Sequence, residues 1–165
     1  MFQVLLVCTG NTCRSPMAEG ILRSLLTPDL DSQVTVTSAG TGAVEGVPAA
    51  PHAIETTAAR GIDIRGHRSR PLTARLLRES DLVLGMEPGH LSRAAELAPD
   101  VRDRVHMITE RGAEPRAEAG ADVGIHDPIG GGSDEYVDAF HRIRSHLLRW
   151  VPVIRDAVER SEGVR

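Results

Sequence analysis

Cys8 and Arg14 stand six positions apart in the run Cys8-Thr9-Gly10-Asn11-Thr12-Cys13-Arg14-Ser15, with a serine directly after the arginine. A short loop between a strand end and a helix N-terminus can curl its backbone N–H groups inward. The result is a nest for a tetrahedral oxyanion, to which the helix dipole adds positive potential. Thr9, Gly10, Asn11, Thr12, Cys13, Arg14 and Ser15 would form that phosphate cradle. Gly10 would permit the tight bend, and Asn11 is of a type that tolerates a left-handed backbone. At the floor of the cradle the amides, the dipole and Arg14 would draw the Cys8 thiol below its ordinary pKa of about 8.5 and make it a nucleophile at neutral pH. The Arg14 fork can bind two phosphoryl oxygens and hold transition-state charge. Ser15 can hydrogen-bond the sulfur and ease its departure in a second step.

Phosphoryl transfer to a cysteine from a poor leaving group also needs a proton donor. Asp127-Pro128, in His126-Asp127-Pro128-Ile129-Gly130-Gly131-Gly132, supplies a carboxyl on a stiffened backbone. Asp127 would protonate the departing atom as acid, then activate water as base. Other readings of the same residues stand beside this one. Cys8 and Cys13 could be half a zinc site, although their spacing is not a usual ligand pair. The loop could cradle a nucleotide, although it has neither a lysine nor a G-x-G-x-x-G pattern. Cys8 could be a buried structural thiol, and Asp127-Pro128 could merely begin a turn.

The composition bounds these options. A chain of 165 residues is long enough for one domain around one core, and 41 % hydrophobic with 25 % charged residues is ordinary for a globular protein. Nineteen basic residues against 23 acidic give a formal charge of −4, so no overall field favours nucleic acid, and a bound anion must be held locally. All the basic residues are arginine, which excludes lysine chemistry. The apolar run Val4 to Cys8 is far too short for a membrane span, and Met1-Phe2-Gln3 has no basic leader region, so a cytoplasmic protein without membrane association is expected.

The elements that must position the site read as alternating strands and helices. Phe2 to Cys8 is a buried strand. A helix follows, with Ser15 as its cap, Pro16 in its first position and Glu19 in its first turn, stopping near Thr27-Pro28. Gln33 to Gly40 reads as the second strand, Pro51 to Arg60 as a helix closed by Gly61, and Asp81 to Met86 as the third strand. Pro88 to Leu97 reads as a helix, Arg104 to Thr109 as the fourth strand, and Ser133 to Val158 as a long helix that Pro152 should kink or interrupt. This alternation argues for an α/β fold with a parallel sheet covered on both faces and a ligand beyond the strands' carboxyl ends. Two loops are functional candidates, Thr41 to Ala50 and the glycine-rich Arg111 to Gly132. Residues 1–160 are expected to form a single domain, and 161–165 a flexible tail.

The run Val7-Cys8-Thr9-Gly10-Asn11-Thr12-Cys13-Arg14-Ser15-Pro16-Met17-Ala18-Glu19 resembles the low-molecular-weight protein tyrosine phosphatases. Ser38-Ala39-Gly40-Thr41, Asp81-Leu82-Val83-Leu84 and Asp127-Pro128 follow in that family's order, so the likeness spans nearly the whole chain. It implies a three-layer sandwich with a central four-stranded parallel sheet. It also implies a phosphorylated protein as substrate, Cys8 as nucleophile, Arg14 as phosphate clamp, Asp127 as acid, and no metal or cofactor. Asn11 and Ser38 are implied to shape the loop, His67 and Ser69 to be structural, and Cys13 to be the neighbour that can form a reversible disulfide with Cys8. Members that prefer phosphotyrosine carry aromatic residues after the acid-proline pair and after the second strand. Here Ile129 follows Pro128, and no aromatic lies between Gly40 and Pro51. Thr12 resembles the protein arginine phosphatase branch, whereas Ile129 departs from the Phe common there, and phosphoarginine is modestly favoured over phosphotyrosine. Tyr136 reads as a packing residue at a helix start. An arsenate reductase, which relays electrons through further cysteines, and a phosphate-binding module without turnover are the other readings. No cysteine follows Cys13, and Asp127 is present.

Overall fold

The computed structural model describes residues 1–110 and 124–162. Strand β1 (Phe2–Cys8) is the hub of the sheet. It pairs in parallel with β2 (Val34–Gly40) on one side and with β3 (Leu82–Gly85) on the other, and β3 pairs in parallel with β4 (Val105–Met107). The order is β2-β1-β3-β4, an all-parallel four-stranded sheet as expected. A central parallel strand is covered on both faces, which is why Val4 to Cys8 is an unbroken apolar run and not an alternating one. Its alternate side chains divide between two cores. Val4, Leu6 and Cys8 join Met17, Ile21, Ile143 and Trp150 on one face. Leu5 and Val7 join Leu77, Val83 and Ala94 on the other.

The first of these faces is covered by α1 (Arg14–Leu25), α3 (Pro51–Ala58) and α6 (Ser133–Glu162), with the short α2 (Pro28–Asp31) beyond α1. The second is covered by α4 (Ala74–Glu79) and α5 (Pro88–Leu97). Both α2 and α4 escape the sequence reading, being too short to show a 3.6-residue period. Two 3₁₀ turns, Pro99–Arg104 and Ile108–Glu110, flank β4, which is shorter than expected.

The predicted start of α1 needs correction. Its N-cap is Cys13, with no side-chain cap bond, and Ser15 lies inside the helix. Glu19 is beyond the first turn. Pro152, expected to kink or interrupt α6, does not interrupt it, and the helix runs through it to Glu162. Pro152 is exposed, so water can satisfy the carbonyl its missing N–H leaves unpaired. Ser161 and Glu162, expected in a tail, are therefore helical, while 163–165 lie outside the described residues. Of the glycine-rich loop, residues 111–123 also lie outside them. Among the described residues no helix is long and apolar enough to cross a membrane.

Sheet order places the site. From β1 the chain moves first to β2 on one side and later to β3 on the other, so the crossovers diverge at the carboxyl ends of β1 and β3. Such a divergence leaves a crevice there.

Candidate active site

Between the end of β1 at Cys8 and the start of α1 at Arg14 the chain turns through Asn11, whose φ of 55° is the only positive value of a non-glycine among the described residues. Gly10, expected to make the bend, has no positive φ, and a Cβ there would meet only Thr12 Oγ1 at 3.5 Å. The left-handed step falls on Asn11, whose side chain can be fixed by hydrogen bonds as glycine's cannot. Its Oδ1 accepts from the Arg70 amide at 2.9 Å, which assigns Nδ2 as the donor to Ser15 Oγ at 2.8 Å and to Ser38 Oγ at 3.0 Å. Ser38 in turn donates to Glu19 Oε2 at 2.6 Å, and Glu19 pairs with Arg23 at 2.7 Å. His67 Nε2 meets the Asn11 carbonyl at 2.7 Å.

This network ends at the sulfur. The Asn11 amide lies 3.3 Å from Cys8 Sγ, and Ser15 Oγ lies 2.9 Å from it. Since Ser15 already accepts from Asn11, its own proton is available to the sulfur. Ser15 thus does what its spacing from Cys8 suggested, from inside the helix and not as a cap. The loop 41–50 wraps the outside: the amides of Thr41, Gly42 and Ala50 donate to the carbonyls of Cys8, Thr9 and Thr12 at 2.9, 3.0 and 2.8 Å. At Gly40, where β2 ends, the packing admits no side chain, because a Cβ would run into the Thr9 carbonyl oxygen and press on Ala43 and Asn11.

Arg14 is 1 % exposed, and a buried guanidinium must be matched by acceptors. Nη1 donates to the Ile125 carbonyl at 2.9 Å and pairs with Glu87 Oε2 at 3.0 Å, while Nη2 bonds Asp127 Oδ2 at 3.1 Å. The carboxyl from the far end of the sequence therefore reaches the same crevice as the cysteine loop. Its other oxygen, Oδ1, accepts from the Ile129 amide at 3.1 Å, which closes a turn around Asp-Pro. Turn and acid are thus compatible readings of Asp127-Pro128.

The sequence reading missed Glu87, Glu19 and His90. Glu87 ends the third strand's run and precedes a proline at a helix start, the kind of position from which open parallel sheets build sites. Glu19 reads from local sequence as a helix-start acid, with no sign of its bond to Ser38. His90 is buried against Thr9, with its Nε2 3.0 Å from Thr9 Oγ1, and nothing in local sequence points to that contact.

Burial works against the thiolate expected at Cys8. The Cys8 thiol is 2 % exposed, and burial pushes its pKa up. The Ser15 hydroxyl and amide, the Arg14 charge and the Asn11 amide all pull it down but do not offset that push. Their contribution is to limit the cost of forming a thiolate in a dry site. Cys8 and Cys13 are both free thiols. Cys13 Sγ lies 3.2 Å from the Tyr136 hydroxyl and 3.7 Å from Thr12 Oγ1. Tyr136 is buried with its ring 5.4 Å from that of His52, a packing role, and burial with Cys13 pushes its phenol well up. Ser69 ties Val44 and Val47 of the wrapping loop, so it and His67 are structural here, as expected. Ile129 is 66 % exposed and projects from the loop that carries Asp127.

Taken together, the arrangement can hold a tetrahedral anion between loop amides and Arg14, with a sulfur below it and a carboxyl beside it. The family model described as low molecular weight phosphotyrosine protein phosphatase matches residues 3–161. A probable low molecular weight protein-tyrosine-phosphatase EpsP of Ralstonia solanacearum is 36 % identical over 152 residues, 92 % of this chain and 95 % of that one. Among solved structures, the YwlE arginine phosphatase from Geobacillus stearothermophilus superposes with a TM-score of 0.80 at 32 % identity, covering 95 % of each chain. A low molecular weight protein tyrosine phosphatase from T. tengcongensis gives 0.81 at 34 % identity, covering 92 % of this chain and 99 % of that one.

Proposed function

The chain belongs to the low molecular weight phosphotyrosine protein phosphatase family, and from that premise we propose that it hydrolyses phosphorylated protein side chains through a phosphocysteine on Cys8, with phosphoarginine the favoured substrate. The observation that carries this reading is the meeting of Asp127 with Arg14, 113 residues apart in sequence, at the mouth of the cysteine loop.

In the first step the Cys8 thiol gives its proton to an oxygen of the incoming phosphoryl dianion, and the resulting sulfur anion attacks phosphorus in line with the leaving atom. The S–P bond forms as the P–N or P–O bond breaks, and Asp127 gives its proton to the leaving nitrogen or oxygen. The phosphoryl oxygens are held by Arg14 and by amides of residues 9–15. They compete with Asp127 for Nη2, so their arrival frees the carboxyl for proton transfer. In the second step Asp127 takes a proton from water, the hydroxide attacks phosphorus, and the sulfur leaves as an anion that the Ser15 hydroxyl and the Asn11 amide receive. Glu87 keeps Nη1 of the arginine in place throughout.

The substrate preference rests on the walls. Thr12 gives the cradle a polar side where a phenyl ring would meet an apolar one. The loop 41–50 and the position after Asp127-Pro128 offer no aromatic ring for stacking, and the likeness to an arginine phosphatase points the same way. The phosphotyrosine reading is supported by the names of the EpsP relative and of the T. tengcongensis structure. The two are separated by parallel kinetics on phosphoarginine and phosphotyrosine peptides for the wild type and Thr12→Ile. The substitution is expected to depress the first activity at least about tenfold more than the second. Equal effects would remove Thr12 from the argument. Cys8→Ser should abolish turnover on both peptides, and its retention would sink the phosphocysteine route altogether.

A further inference from the structure

His90, in the first turn of α5, is 4 % exposed and touches two halves of the site. Its Nδ1 lies 3.2 Å from the Met86 amide and 3.0 Å from the Glu87 amide. A backbone N–H can only donate, so Nδ1 must present its lone pair, and the proton of a neutral imidazole then sits on Nε2. Nε2 is 3.0 Å from Thr9 Oγ1, which therefore accepts, leaving the threonine's own proton free to be donated elsewhere. Glu87 Oε2, 3.8 Å from Nε2, is too far to compete. Burial first, and then the charge of Arg14, push the His90 pKa down to about 4, so the ring stays neutral at neutral pH.

The position is unusual for histidine. In the capping box of α5 the His90 side chain accepts the Glu87 amide, a task normally given to glutamate or glutamine. A glutamate there could cap but not donate to Thr9. Imidazole offers an acceptor and a donor on opposite sides of one rigid plane, and here both are used.

We propose that His90 is a positioning residue that, with its proton fixed on Nε2, ties Thr9 of the cradle to the β3–α5 turn carrying Glu87, and so holds the cradle and the acidic partner of Arg14 in one register. This rests on the phosphatase reading, because the register matters only if cradle and arginine share one phosphoryl group. The β1 and β3 ladders pair Val7 with Gly85, the Met86 amide donates to the Val7 carbonyl at 3.1 Å, and past that bond the contact of His90 with Thr9 is a side-chain tie between the two strand ends.

Two measurements on the full chain test it. Ring ¹⁵N chemical shifts at neutral pH should show Nε2 protonated and Nδ1 not, and a proton on Nδ1 overturns the proposal whatever the kinetics. His90→Asn, Thr9→Val and the double variant are then compared on a small aryl phosphate, with melting temperatures. The asparagine oxygen can still accept the two amides but nothing reaches Thr9. His90→Asn is expected to lose about five- to tenfold in kcat/KM at a near wild-type melting temperature. Thr9→Val should lose the same, and the double variant no more than either single change. Wild-type kinetics for His90→Asn, or losses that multiply in the double variant, overturn the positioning role. A wild-type chain that hydrolyses no aryl phosphate would overturn the phosphatase reading instead, and the ¹⁵N shifts would still judge the tautomer.

Discussion

The cradle and the rim around it are built on opposite principles. In the cradle, Asn11, Arg14, Ser15 and Ser38 are all buried, and each is bonded to a partner that is itself held. On the rim, Val44, Val47 and Ile129 are exposed, and although their backbones are tied down, their side chains face solvent. Buried polar networks are costly when broken, so the first region tolerates almost no change in residue type. Exposed apolar side chains can be exchanged at little cost to the fold. Under the proposed function the chemistry would be fixed in one region, and recognition of the leaving group would be open to adjustment in the other. Cradle changes should appear in kcat or in proton affinity, and rim changes in KM.

The sharpest way to break this contrast is Arg14→Lys. A lysine keeps the charge but cannot serve the Ile125 carbonyl, Glu87 and Asp127 while also gripping two phosphoryl oxygens. Its kcat/KM on an aryl phosphate should fall on the order of 10³-fold, and a loss under about tenfold would show that the fork is dispensable. Ser15→Ala should have a smaller effect with a definite sign. The hydroxyl favours the charged form of Cys8, so removing it should move the pH midpoint of Cys8 alkylation by iodoacetamide upward and slow the reaction at neutral pH. An unchanged or lower midpoint would mean the hydroxyl does not serve the sulfur. Smallest of all should be Ile129→Phe, which enlarges the apolar wall beside the acid. A KM for phosphotyrosine peptides lowered about two- to fivefold, with kcat unchanged, would sharpen the division. A large change in kcat would place Ile129 with the cradle.

Local chemistry was legible where residue type and spacing carried it. Strand β1 stood out because a strand covered on both faces must be apolar throughout. The bounds of α5 came out as read because Pro88 opens it and Pro99 follows it. Cys8, Arg14 and Asp127 stand out in the sequence because few residue types could perform the tasks proposed for them. Long-range partnership was not legible. Glu87 meets Arg14, His90 meets Thr9 and His67 meets Asn11 across 56 or more positions, and no periodicity reports such contacts. The push that burial exerts on the Cys8 thiol is hidden from the sequence for a related reason. The opposing contacts were visible in the loop sequence, but the depth to which the sulfur is buried depends on how β1 sits beneath α1 and α6. A serine before proline fits a helix cap, whereas the Ser15 hydroxyl is engaged by Asn11 and Cys8.

Gly40 lies outside every list of reacting groups, yet the strand it ends passes so close beneath Thr9 and Asn11 that even a methyl group there would have to lift the floor of the anion nest. A saturation survey scored by turnover should flag this position as sharply as the arginine itself, although the residue has no side chain to contribute. Part of the catalytic apparatus of this molecule is a reserved volume.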